Sequence, residues 1–125
     1  MFITFEVPEG SGKSSQLPAL ASFIASRGYD VVSTREPGGT RIGNQIREIL
    51  MRMDNTELHP RTEILLFQAA RAQLIEELIL PSLAAGKVIL CDRYGDSTLA
   101  YQGYGHGLDV DRLKMILEFA TSGLK

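Results

Sequence analysis

The sequence predicts an α/β protein, a parallel β-sheet with helices on both faces. Three observations carry that prediction. A short apolar run, Met1 to Phe5, leads into a glycine-rich loop and then into an amphipathic stretch. A second apolar run, Lys87-Val88-Ile89-Leu90-Cys91-Asp92, is continuous and closes on a carboxylate, as strands buried on both faces of a parallel sheet do. Between them, strand-like and helix-like stretches alternate, which is the chain order that builds such a sheet.

Taken in order, Met1–Phe5 reads as a buried strand. A helix is expected from about Ser14 to Arg27, with Leu17, Leu20, Phe23 and Ile24 on one face. Pro18 is tolerable there if it falls among the N–H groups that lack a helical partner, and Gly28 is a C-cap. Asp30 to Arg35, with Val31 and Val32, reads as a second strand. Pro37-Gly38-Gly39 is a loop. Ile42, Ile46, Ile49, Leu50 and Met53 outline a helix of about three turns from Thr40 onward. The polar stretch Asp54 to Pro60 breaks it. The longest helical pattern runs from Thr62 to about Ala85, its expected core being Leu65, Leu66, Ala69, Ala70, Leu74 and Leu78. Pro81 predicts a kink or break near Ile79–Leu80, and Gly86 ends the helix. After the strand closing on Asp92, a short helix is expected over 96–102. A loop through Gly103, Gly105 and Gly107 follows, then a last helix capped by Asp109 and holding Leu113, Ile116, Leu117 and Phe119.

Length and composition bound the function. A chain of 125 residues holds one modest domain, here residues 1–125. A net charge of −2 gives no whole-chain electrostatic case for nucleic-acid binding. The single cysteine, Cys91, excludes an internal disulfide, fits a reducing compartment, and reads as a buried small hydrophobe. No apolar stretch approaches the ~18 residues of a membrane span, and no basic segment precedes an apolar one at the N-terminus as in a secretory signal. A cytoplasmic protein is the expectation.

The chemistry begins at the first loop. Gly10-x-Gly12-Lys13-Ser14 follows a strand and opens a helix, the context of a phosphate-binding P-loop. Backbone N–H groups there converge on an anion, and Lys13 adds a full positive charge. The Ser14 hydroxyl is placed to meet a magnesium ion. The full pattern asks for glycine at position 7, where this chain has Val7. A β-branched residue at a tight turn costs on the order of 1–3 kcal/mol if its dihedrals are unfavourable. Asp92 closes a strand at the sheet edge where ligands gather, so it pairs with Ser14 as a magnesium candidate. Arg35 and Arg93 end equivalent strands, and a guanidinium suits a phosphate dianion, although solvated arginines are the ordinary alternative. Phe67 and Arg71 share a helix face at (i, i+4). They can stack on a base and bond its carbonyl, or serve as a core aromatic beside an outward-reaching arginine. Tyr101 and Gln102 beside a glycine-rich loop are equally open. His59 and His106 have no companion at metal-ligand spacing.

Five strings together resemble the thymidylate kinase family, nucleoside monophosphate kinases of the P-loop class. They are Phe5-Glu6-x-x-Glu9-Gly10-Ser11-Gly12-Lys13, Thr34-Arg35-Glu36-Pro37-Gly38-Gly39-Thr40, Leu66-Phe67-x-Ala69-x-Arg71, Asp92-Arg93-Tyr94 and Ser97-x-x-x-Tyr101-Gln102-Gly103. The resemblance implies the P-loop nucleoside-kinase fold, incomplete at its C-terminus, and transfer of the ATP γ-phosphoryl group to dTMP with Mg2+. It implies that Val7, Pro8, Glu9, Gly10, Ser11, Gly12, Lys13, Ser14 and Ser15 cradle the ATP phosphates. Lys13 would bridge the donor phosphates, Glu9 would hold the 3′-hydroxyl of dTMP, and Arg93 would grip its phosphate. Arg35 and Glu36 would line the same pocket. Phe67 would stack on thymine and Arg71 would bond its carbonyl. Ser97, Thr98 and Gln102 would lie near the acceptor, and Tyr101 would crowd a 2′-hydroxyl. Ser14 and Asp92 would hold the metal.

Gly10 stands where some members of the family carry a catalytic arginine. By resemblance, the arginine that stabilises the transferring group is then expected on a lid beyond Lys125, with the adenine-binding segment. A homodimer is also implied. The alternatives on sequence are a kinase for another deoxynucleotide or a nucleoside, and a non-catalytic nucleotide-binding protein or fragment.

Overall fold

A computed structural model describes residues 1–5, 13–93 and 110–122, with residues 13–15, 93 and 110 described by their backbone alone. Three strands form the sheet: β1 (Phe2–Phe5), β2 (Val31–Glu36) and β3 (Val88–Arg93). Both pairings are parallel and the order is β1-β3-β2. Helix α1 (Lys13–Ser26) crosses from β1 to β2, and α2 (Arg41–Met51), α3 (Pro60–Leu74) and α4 (Leu80–Ala84) lead from β2 back to β3. The two crossovers run in opposite directions along the sheet, so right-handed connections place them on opposite faces. Helix α5 (Val110–Thr121) closes the described chain and packs on α3.

The central strand explains the continuous apolar run. Val88, Ile89, Leu90 and Cys91 are all buried, Cys91 completely. On one face of the strand Ile89 and Cys91 meet Leu74, Ile75 and Ile79, with Phe2, Val32, Leu78, Leu80 and Leu83 packed around them. The core therefore lies between the sheet and the end of α3.

Several local expectations need correction. Pro18 is the sixth residue of α1, past the first turn. It removes an interior hydrogen bond to the carbonyl of Ser14. The predicted break near Ile79–Leu80 takes the form of a π turn over Ile75–Ile79, in which the Leu80 N–H donates to the Ile75 carbonyl. The extra residue in that turn brings Pro81 to the start of α4, where its missing N–H is not needed. The apolar face of α3 is also rotated from the expected one. Ile64, Phe67, Ala70 and Leu74 are buried, whereas Leu65 is 57% exposed and Ala69 is exposed. Phe23 of α1, Ile42 and Ile49 of α2, Met53 beyond it, and Phe119 of α5 are likewise exposed, although helical spacing assigned each to a core face. Phe23 instead lies under the Arg27 guanidinium, 5.0 Å from its ring centroid. The helix expected over 96–102 and the Asp109 cap lie outside the described residues.

Candidate functional site

The carboxyl ends of the three strands gather in register. Phe5 and Arg35 each pair with Asp92, and Glu36 pairs with Arg93. β1 ends at Phe5 and α1 opens at Lys13, so the glycine-rich loop joins this edge to the start of a helix. That is the strand-loop-helix order a P-loop requires.

Beyond β2 the chain turns sharply. Gly38 and Gly39 have φ of +123° and +85°. A Cβ on Gly39 would lie 2.3 Å from Thr34 Oγ1 and 2.8 Å from Leu74 Cδ1, so only glycine fits between the strand end and α3. Thr40 then caps α2, its hydroxyl accepting from the Gly43 N–H at 2.9 Å. The Gly39 N–H donates to Asn44 Oδ1, and Arg47 Nη1 donates to the Pro37 carbonyl at 2.8 Å. The string Arg35 to Thr40 is thus a rigid corner held against α2 and α3.

That corner delivers Glu36 to Arg71. The arginine Nε donates to one carboxylate oxygen at 3.0 Å and Nη2 to the other at 2.8 Å. Both residues are 2% exposed. A bidentate pair in a dry setting is a strong and orienting contact, because each charge depends on the other. The Arg71 guanidinium also lies 5.3 Å from the centroid of the Phe67 ring. Glu36, Arg71 and Phe67 therefore form one buried unit where the sheet edge meets α3. The sequence paired Phe67 with Arg71 by spacing. The Glu36–Arg71 contact spans 35 residues and had no local signal. The outward-reaching alternative for Arg71 is excluded by its burial.

The other expected site residues divide. Arg35 is exposed at the end of β2, and Asp92 is half-buried at the end of the central strand. A carboxylate there offers the hard oxygen donors that suit Mg2+, which needs only one or two of them beside substrate phosphates. Among the described residues no group of three or more His, Cys, Asp or Glu forms a metal cage. Lys13, Ser14 and Ser15 begin α1 and Arg93 ends β3, all four known by backbone position alone. Val7, Pro8, Glu9, Gly10, Ser11, Gly12, Ser97, Thr98, Tyr101 and Gln102 lie outside the described residues. Gln68, which sequence reasoning passed over, is 4% exposed on α3. Its signal was its spacing, three residues before Arg71.

Comparison with known proteins meets this geometry. The chain is 56% identical to a thymidylate kinase of Roseiflexus castenholzii over 100% of its own length and 55% of that protein's. It is 52% identical to one from an Exiguobacterium species, covering 99% of this chain and 58% of the relative. The crystal structure of thymidylate kinase from Ehrlichia chaffeensis superposes with a TM-score of 0.82 at 41% identity, over 96% of this chain and 64% of that one. The chain spans about half the length of the curated relatives it matches. The family model described as thymidylate kinase matches residues 5–123, a range that takes in the strand edge, the Glu36–Arg71 corner and α5 together, and on that agreement of sequence and fold the chain belongs to the thymidylate kinase family.

Proposed function

We propose that the whole protein transfers the γ-phosphoryl group of ATP to dTMP, giving dTDP and ADP. The observation that carries this reading is the buried Glu36–Arg71–Phe67 unit at the carboxyl edge of a parallel sheet, in a member of this family. Phe67 supplies a face for the thymine ring. Glu36 holds the Arg71 guanidinium through Nε and Nη2, so the fork is already oriented when a base carbonyl arrives. A base that finds its donor in place loses little freedom in binding.

In the step itself, an oxygen of the dTMP phosphate bonds to the γ-phosphorus as the bond to the β–γ bridging oxygen breaks. Catalysis is then mainly positioning and charge. Lys13, with the loop of Val7, Pro8, Glu9, Gly10, Ser11 and Gly12 and the hydroxyls of Ser14 and Ser15, holds the donor phosphates. Arg93 holds the acceptor phosphate in line, with Arg35 at the neighbouring strand end. Glu9 takes the 3′-hydroxyl, and Tyr101 stands against a 2′-hydroxyl. Ser97, Thr98 and Gln102 complete the acceptor pocket. Mg2+, when bound, draws charge from the donor phosphates, and Asp92 and Ser14 would hold it. The protein is proposed to act as a cytoplasmic homodimer, and the exposed apolar side chains of Leu65, Met115 and Phe119 on the packed helices α3 and α5 support a second copy. No helix of the described residues is long and apolar enough to cross a membrane.

A coupled assay of ADP release by the full-length protein, with ATP and a panel of nucleoside monophosphates, tests the reading. Preferred turnover of dTMP is expected. Preference for a ribonucleotide would count against the Tyr101 assignment, and binding of ATP without turnover of any acceptor would defeat the kinase reading.

A further inference from the structure

The buried Glu36–Arg71–Phe67 unit joins two pieces of the fold. β2 brings Glu36, with Arg35 beside it, and α3 brings Phe67 and Arg71. The chain just beyond Glu36 is the loosest part of that junction. Gly38 and Gly39 follow one another at φ of +123° and +85°, and glycine has the most backbone freedom to lose. Two side chains of α2 hold this turn. Asn44 Oδ1 accepts from the Gly39 N–H at 3.0 Å, and Arg47 Nη1 donates to the Pro37 carbonyl at 2.8 Å. A Cβ on Gly38 would lie 2.6 Å from Asn44 Oδ1, so the amide oxygen occupies the space that Gly38 leaves open. Gly43 lets α2 come this near, since its own Cβ would lie 3.2 Å from the Gly38 carbonyl oxygen. The contacts close a ring: Asn44 ties the turn to α2, α2 packs along α3, and Arg71 of α3 binds Glu36, which leads back into the turn. Helix α2 does not need Asn44 for itself. The residue is exposed near the start of the helix, and asparagine is a poorer helix former than alanine.

We propose that Asn44 is a positioning residue for the acceptor nucleotide: its amide oxygen fixes the glycine turn, and through the turn the strand end that carries Arg35 and orients Arg71. This rests on the reading of that corner as part of a dTMP site. Asn44 acts through Gly39 and not on the substrate. With the turn free, Glu36 and Arg71 keep their ion pair but lose the fixed direction in which the guanidinium is presented. The acceptor then has to order the corner as it binds, which weakens its binding. The donor phosphates are assigned to a different loop, so the loss falls on one substrate alone.

Steady-state kinetics of the full-length enzyme and its Asn44→Ala and Asn44→Asp variants, with dTMP and ATP each varied in turn, test the proposal. Asn44→Ala is expected to raise KM for dTMP about fivefold, the effect of one ordinary hydrogen bond, while kcat and KM for ATP stay within about twofold. Asn44→Asp keeps an acceptor oxygen in the same place and should return KM for dTMP to within about twofold of the wild type. Thermal melts without nucleotide should place Asn44→Ala within about 2 °C of the wild type, because the turn loses a contact while the helix gains a better former. A residue that only supports the fold would lower the melting temperature and leave KM alone. An unchanged KM for dTMP in Asn44→Ala overturns the proposal, as does a rise shared equally with ATP, an Asn44→Asp variant no better than Asn44→Ala, or an alanine variant that melts well below the wild type or fails to fold. Each of these leaves the dTMP kinase reading intact. A wild-type enzyme that does not phosphorylate dTMP overturns both readings.

Discussion

The Glu36–Arg71 pair makes the most demanding prediction. Each side chain is 2% exposed, and the two contacts measure 3.0 and 2.8 Å. Replacing Glu36 by leucine leaves a guanidinium in the interior without its counter-charge, which costs about 3–5 kcal/mol. Arg71→Met strands the carboxylate and costs a similar amount, about 3–5 kcal/mol. The double variant removes both charges and fills the space with apolar atoms. It should lie within about 1 kcal/mol of the wild type, because the desolvation cost of the pair disappears along with its attraction. Urea unfolding of the full-length protein, followed by circular dichroism and extrapolated linearly to water, reads all three values. The coupling between the sites should exceed the cost of either single change. Calorimetric titration adds a functional arm: the double variant should fold and yet bind dTMP poorly, because Arg71 is gone. Costs that add to within about 0.5 kcal/mol would refute the reasoning, since independent sites behave that way and a closed ion pair does not.

Other perturbations follow from the same geometry. Gly39→Ala places a methyl group 2.3 Å from Thr34 Oγ1 at φ +85° and should cost about 2–4 kcal/mol in the same unfolding assay. Gly86→Ala shares the positive φ, at +77°, but meets nothing within 4 Å, so it should cost only about 1–2 kcal/mol. Cys91 is completely buried in the central strand, so a thiol reagent should label the protein at the unfolding rate and not before; prompt labelling in native buffer would contradict the placement of β3. Val7→Gly should tighten ATP binding by calorimetric titration of the full-length protein, and equal affinity would show that the loop accepts Val7 without strain.

What the chain shows on its face depends on the range of the interaction involved. The continuous apolar run to Asp92 marked a buried strand, because a strand covered on both faces has no polar side to display. The starts of α1, α2 and α3 and the end of α1 were legible within about two residues, since signals such as Thr40 and Gly28 act on their own neighbours, whereas Pro60, read as part of the break, opens α3, and α3 stops at Leu74, well before the expected break. The family strings were legible because each is a run of near neighbours in the sequence. Helix faces were less so. A hydrophobic stripe says which side residues share, and does not say which side meets the sheet. Thus Leu65 and Phe119 point outward, while Gln68 and Arg71 are covered.

Pro81 shows the same limit on a smaller scale. Its missing N–H demands a local adjustment, and only packing against β3 decided that a π turn before it would serve. The site makes the division clearest. Phe67 and Arg71 could be paired from spacing alone, since one helical turn links them. The partner that orients Arg71 lies 35 residues away at the end of β2. It reaches α3 only because β2 lies beside the central strand and two glycines fold the chain back at its end. The sequence by itself determined the strand edge and the kinship, and set the expectation of a phosphate loop between β1 and α1. Tertiary structure alone decided which charges are buried together, because burial belongs to the assembled layers and to no single segment.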